Sequence, residues 1–137
     1  MANIFPSAEW LEALKAKLNS DEKYARVARN WEGDIMFNIE PGGGFAESLQ
    51  LYIDLWHGTC RAVFVVDPAK DTELNPAYIL SAPYDNFTRI LDNQLDPMQA
   101  MITRKLRVQG SMSYMMRNVP VVLDFVRCAQ ELNSEYL

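Results

Sequence analysis

The chain has 137 residues but only two cysteines, one histidine and no long apolar run, and these shortages exclude much before any motif is read. Cys60 and Cys128 are too few for a disulfide framework and suit a reducing compartment. The lone histidine, His57, forms an H-x-x-C pair with Cys60, yet no further Cys or His stands near enough in the sequence to complete a zinc site. No metal and no cofactor is therefore expected. Positive charge is also short, because 13 Lys and Arg against 18 Asp and Glu leave a net charge of −5. Nothing here neutralises a phosphate backbone, so nucleic acid is not expected as a partner. The same balance argues against lasting adhesion to anionic membranes, though not against brief contact. The longest apolar run, residues 62–66, is strand-sized and far short of the ~18 residues that span a bilayer. No stable membrane insertion follows. The N-terminus lacks a basic segment leading into an apolar stretch, and Glu9 and Glu12 arrive early, so no signal peptide is expected and the chain reads as cytoplasmic.

What remains is ordinary in bulk, with 49% hydrophobic and 23% charged residues, and its length suits one domain covering residues 1–137. Ser7 is placed to cap a first helix reaching Lys17 or Leu18, with Trp10, Leu11, Leu14 and Leu18 as its stripe. A second helix carries Tyr24, Val27, Ala28 and Trp31 and should stop before Gly33. The period then shortens from 3.6 to 2. Ile35, Phe37 and Ile39 mark one strand, and Leu49, Leu51, Ile53 and Leu55 a second. Residues 61–66 return as a third, which predicts an antiparallel meander. Gly42, Gly43 and Gly44 lack the lysine and serine of a phosphate loop and read as a hairpin connection. Residues 67–76 are a polar surface connection, residues 77–82 a fourth strand, and Phe87, Ile90 and Leu91 the apolar side of a third helix. Tyr52 and Trp56 share a face with Asp54 and are expected to pack under a helix.

Five of the seven methionines fall between residues 95 and 116: Met98, Met101, Met112, Met115 and Met116. Asp96 and Pro97 read as N-cap and first helical residue of a short helix over 97–103. Leu106 and Val108 then alternate as a strand that Gly110 breaks, and Ser111 caps another short helix with Met112, Met115 and Met116 at i, i+3, i+4. A methionine stripe most often fills a core, but the thioether's flexibility also suits a surface that must fit varied apolar ligands. Asn118 and Pro120 open a last helix that is apolar on neighbouring faces, so it needs broad cover from the sheet, a partner or a ligand.

Residues 81–116 resemble the sterol carrier protein 2 (SCP2) family. The resemblance rests on Tyr84–Asp85–Asn86–Phe87, on Leu95–Asp96–Pro97, and on Lys105–Leu106–Arg107–Val108–Gln109–Gly110, and the order of elements extends it to about residues 8–130. The family usually has glycine before this lysine, where Arg104 stands, so the turn there is expected to differ locally. The chain ends Glu135–Tyr136–Leu137, without a peroxisomal tripeptide, which looks more like a stand-alone prokaryotic member. The resemblance implies an α/β (α+β) fold: a five-stranded, mainly antiparallel sheet covered on one face by five or six helices, enclosing a hydrophobic tunnel. It further implies a lipid-binding lining of Phe87, Ile90, Leu91, Met98, Met101, Ile102, Leu106, Val108, Met112, Met115 and Met116, with Val122 and Phe125 closing it.

The implied function is binding and transfer of a sterol, fatty acyl or isoprenoid-type lipid, without catalysis. Burying on the order of 400 Å² of apolar ligand at roughly 25 cal/mol/Å² yields about 10 kcal/mol gross, and association costs reduce this to reversible, micromolar-class binding. The alternative is an accessory module that presents a hydrophobic intermediate to partner enzymes or only forms a homodimer. A third reading, a small isomerase or hydrolase, would need Asp54 or His57 beside a bound ligand; more simply, Asp54 is a solvated strand residue and His57 a hairpin-turn residue.

Overall fold

In the computed structural model, which describes residues 3–136, the two periodicities of the chain become one mixed sheet beneath a layer of helices. A short strand β1 (Asn3–Phe5) precedes helix α1 (Ala8–Ser20), which Ser7 starts by accepting the Trp10 amide at 3.0 Å. All four predicted stripe residues, Trp10, Leu11, Leu14 and Leu18, are buried. Asp21 interrupts the helix and caps α2 (Glu22–Val27) through the Tyr24 amide. That second helix is shorter than its apolar spacing predicts. Trp31 is buried from a turn instead, where its indole donates to the Gly33 carbonyl at 2.9 Å and its ring stacks on Tyr78.

The sheet comprises β2 (Ile35–Glu40), β3 (Leu49–Trp56), β4 (Thr59–Val65), β5 (Tyr78–Pro83) and β6 (Arg107–Gln109) in the order β4-β3-β2-β5-β6. The meander β2–β3–β4 is antiparallel as its alternation predicts, β5 joins β2 in parallel, and β6 closes the edge antiparallel to β5. Leu51, Ile53 and Leu55 are buried toward the helices. Tyr52 and Trp56 do not pack under a helix: they lie on the opposite sheet face, where Tyr52 stacks on Phe64 and Trp56 is 39% exposed beneath the Arg61 guanidinium. Strand alternation put them together, but only the sheet's pairing shows which face the helices cover.

Helices α3 (Tyr84–Leu91), α4 (Pro97–Ile102), α5 (Met112–Arg117) and α6 (Val119–Gln130) complete the layer. Asp96 and Ser111 cap α4 and α5 as expected, accepting from the Gln99 and Tyr114 amides. Arg104, at the position where the resemblance implies glycine, adopts φ 62° and so takes up the left-handed conformation itself. Arginine in that conformation costs about 1 kcal/mol relative to glycine. A final strand β7 (Ser134–Tyr136) pairs in parallel with β1, a two-stranded sheet absent from the sequence expectation. Three-residue segments carry no usable periodicity, and their partners lie at opposite ends of the chain.

Two polar devices tie the helices down. The Asn19 amide donates to the Cys60 carbonyl at 2.9 Å and accepts its N–H at 2.8 Å, fixing α1 to β4. Arg127 on α6 reaches Asp21 at 2.7 Å, Asp124 at 2.8 Å and Glu131 at 3.0 Å, while Lys17 bridges Asp21 and Glu131. The Arg127 guanidinium holds the Asp21 carboxyl well below the usual carboxylate range. Asp21, Asp124 and Cys128 converge as a cation site would, and the guanidinium occupies that role.

Candidate functional site

Between the sheet and the helices lies a cavity of about 90 Å³ lined by apolar side chains. Its floor is Ile35, Phe37, Leu51, Leu55 and Leu80 from β2, β3 and β5. One wall is Phe87, Ile90 and Leu91 of α3 with Pro97 and Met101 of α4, followed by Leu106. Met115 of α5 enters from the side, and α6 covers the top with Val121, Val122, Phe125, Val126 and Ala129. Phe5, Trp10 and Trp31 complete the lining. The void persists because rings prop its walls apart: Phe37 meets Phe87 edge-on at 5.9 Å and stacks on Phe125 at 6.0 Å, and Phe5 meets Trp10 at 4.9 Å. Among the described residues, no titratable side chain contributes to this lining.

Most of the lining is buried, but Phe37 of the floor and Leu91, Met101, Val122 and Val126 of the helical wall are only half-buried. The accessible part of the helical wall thus belongs to α3, α4 and α6. Cavities of roughly 150 Å³ accept a benzene-sized guest, so a guest with the bulk of an acyl chain must push the walls outward. The two short helices, α4 and α5, are six residues each and contribute the flexible Met101 and Met115.

Of the thirteen positions that the family resemblance implies, the structure gathers Phe87, Ile90, Leu91, Met101, Leu106, Met115, Val122 and Phe125 around this cavity. The other five do not line it. Ile102, Met112 and Met116 are 68%, 40% and 50% exposed and stand outside the cavity lining. In a six-residue helix, i, i+3, i+4 spacing marks neighbours without saying which of them face inward. Met98 and Val108 are partly buried, Val108 against the main core and neither on the cavity. Sequence reading missed the floor and the end wall. Their alternation and helical stripes were visible, but a cavity-lining residue and a core residue carry the same apolar signal.

The residues weighed for chemistry lie elsewhere. Asp54 forms a two-pronged ion pair with Arg61, 3.0 and 3.1 Å, on the sheet face away from the cavity. His57 sits in the β3–β4 turn at φ 50°, 2.6 Å from Glu32. Cys60 and Cys128 are buried, and burial pushes both thiols up to about 11, which disfavours the nucleophilic thiolate. No helix among the described residues is long and apolar enough to cross a membrane.

Comparison with known proteins gives this architecture its context. Residues 11–122 match the model of the SCP-2 sterol transfer family. A crystal structure of sterol carrier protein 2 superposes with a TM-score of 0.80 at 26% identity, covering 91% of this chain and 96% of its own. A possible sterol carrier protein from Thermus thermophilus gives the same score and identity, covering 94% and 90%. The Aedes aegypti carrier in complex with palmitate shares the fold at a TM-score of 0.52 and 18% identity, covering 87% of this chain and 96% of its own. No curated protein sequence matches the chain. With residues 11–122, most of its length, matching the family model, the chain belongs to the SCP-2 sterol transfer family.

Proposed function

We propose that this protein binds a single-tailed or sterol-like lipid in the cavity beneath α6 and carries it between sites without transforming it. The observation that supports this most directly is the apolar void between sheet and helices, whose walls include methionines on short helices. The eight gathered positions, Phe87, Ile90, Leu91, Met101, Leu106, Met115, Val122 and Phe125, would contact the ligand, together with the sheet floor. A lining without acid, base or nucleophile favours carriage over catalysis. A fatty acyl chain, as held by the Aedes neighbour, is the simplest guest, because its narrow section can thread a space that widens only as the helices part. The setting we infer is the cytoplasm.

Native mass spectrometry of protein purified from cells, followed by titration with a fluorescent fatty acyl probe, tests the reading. A co-purifying lipid mass and saturable displacement of the probe by fatty acid, sterol or quinone are expected; absence of both overturns it. Met101→Asp, which puts an unpaired charge against the cavity, should cost about 3 kcal/mol in folding or abolish probe binding. Wild-type behaviour in both measurements would place Met101 outside the site. A presenting role toward partner proteins is a second reading, favoured by Leu123 of α6 at 42% exposure. Light scattering on the wild type and on Leu123→Asp separates a self-associating module from a monomeric carrier.

A further inference from the structure

We propose that Phe5, pinned where β1 and β7 pair, is the end stop of the cavity and sets how long an acyl chain the protein accepts. The inference rests on the carrier reading and adds what limits the guest.

The parallel strands β2 and β5 set Ile35 opposite Tyr78 and Glu40 opposite Pro83, and a buried ring stands at each end of this pair. Trp31 stacks on Tyr78, where β5 begins, with ring centroids 5.7 Å apart. Phe5 stacks on Tyr84, the residue after β5 ends, at 6.1 Å. Both rings line the cavity. The six residues of β5 between them span about 17 Å.

The two ends are held differently. Trp31 is fixed by groups of its own turn and the β3–β4 turn: its indole donates to the Gly33 carbonyl at 2.9 Å, and its carbonyl accepts the His57 amide at 2.7 Å. Phe5 depends on contacts that cross the chain. Strand pairing sets it opposite Tyr136. The Tyr136 hydroxyl donates to Asp92 at the end of α3 at 2.7 Å, and the Trp10 indole donates to the Ser134 hydroxyl at 2.7 Å. Trp10 also meets the Phe5 ring edge-on at 4.9 Å and lines the cavity with it. Tyr84 stacks in turn on Phe45 at 5.0 Å, so Phe5, Tyr84 and Phe45 close this end as three rings in series. Neither β1 nor β7 falls within residues 11–122, which match the family model. The stop is therefore supplied by segments outside the shared scaffold.

A saturated chain gains burial with every methylene that fits, and gains none once its tip meets a ring backed by packed rings. Affinity should rise with chain length up to that point and no further. The Phe5 side chain carries no polar atom, so trimming it lengthens the space without stranding a hydrogen bond.

Displacement of the fluorescent fatty acyl probe from the full chain by laurate, palmitate, arachidate and behenate tests the proposal. Wild-type affinity is expected to climb with length and then level off or fall. Phe5→Ala should move that limit to longer acids, by about fourfold in affinity for each methylene newly buried, and Phe5→Trp should move it to shorter ones. Tyr136→Phe, which releases the clasp from Asp92 and leaves the stop ring in place, should relax the limit in the same direction as Phe5→Ala but less. If Phe5→Ala does not fold, Phe5→Leu reads the same shift at smaller size. A merely structural role predicts a uniform loss of affinity at every length. That outcome, or a limit that stays put in the Phe5 variants, overturns the end stop and leaves the carrier reading standing. Failure of every acid to displace the probe from the wild type removes the carrier reading and the stop with it.

Discussion

The two sides of α6 teach opposite lessons. Toward α1 and α2 it presents Asp124, Arg127 and Cys128 to a region where Leu11, Leu14 and Leu18 are fully buried and an ion-pair network spans the helices. Toward α3, α4 and α5 it presents Val122, Phe125, Val126 and Ala129 to a void. The first side is close-packed and tethered by directional contacts, so it can hold α6 in place. The second has only dispersion contacts around unfilled space, so its walls can shift at small cost. A carrier needs both, a fixed frame and a compliant wall, and one helix supplies the boundary between them.

Substitutions on the two sides should separate this contrast, with the packed side giving the largest effect. Leu14→Ala, in the filled region, should cost about 3–4 kcal/mol in urea unfolding. Leu91→Ala, which borders existing space and is half-exposed, should cost only about 1 kcal/mol. Equal losses would mean that the cavity side is as tightly packed as the frame.

Asp21→Ala attacks the tether. It removes the α2 cap and a carboxylate shared by Arg127 and Lys17, and should cost about 2 kcal/mol near neutral pH. The sign with pH follows from the lowered carboxyl: its stabilisation is complete above the ordinary value of 3.8 and fades as pH falls through the lower folded-state value. Unfolding curves of wild type and variant should therefore draw together below that range, and a constant gap down to strongly acid pH would assign the cost to something other than ionised Asp21.

Ala129→Leu sharpens the comparison from the other side by filling the void. Stability should rise by about 1 kcal/mol while probe affinity falls. A variant that gains stability and still binds as before would show the cavity is not where ligand sits. The smallest effect is expected at Arg104→Gly, which relieves the left-handed turn and should gain about 0.5 kcal/mol, the relief being partly offset by glycine's freedom in the unfolded chain. Thermal unfolding measures it.

Much of the fold is legible wherever neighbours in sequence decide the outcome. Ser7, Asp96 and Ser111 cap helices because a side-chain oxygen reaches an amide three residues on, and the β2–β3–β4 meander follows from strict alternation between turn residues. The candidate site was half legible. Phe87, Ile90, Leu91, Met101 and Met115 are inward members of recognisable apolar patterns. Ile102, Met112 and Met116 belong to patterns that look the same, yet face out.

By itself the sequence determined where helices begin, where the period shortens to that of strands, and that an apolar surplus lies late in the chain, because capping and periodicity act over a few residues. Tertiary structure alone decided that β5 lies beside β2 in the middle of the sheet, that the chain ends pair as β1 and β7, and which apolar residues surround empty space. A void is a property of surfaces that fail to meet, and no residue carries the mark of what is absent beside it.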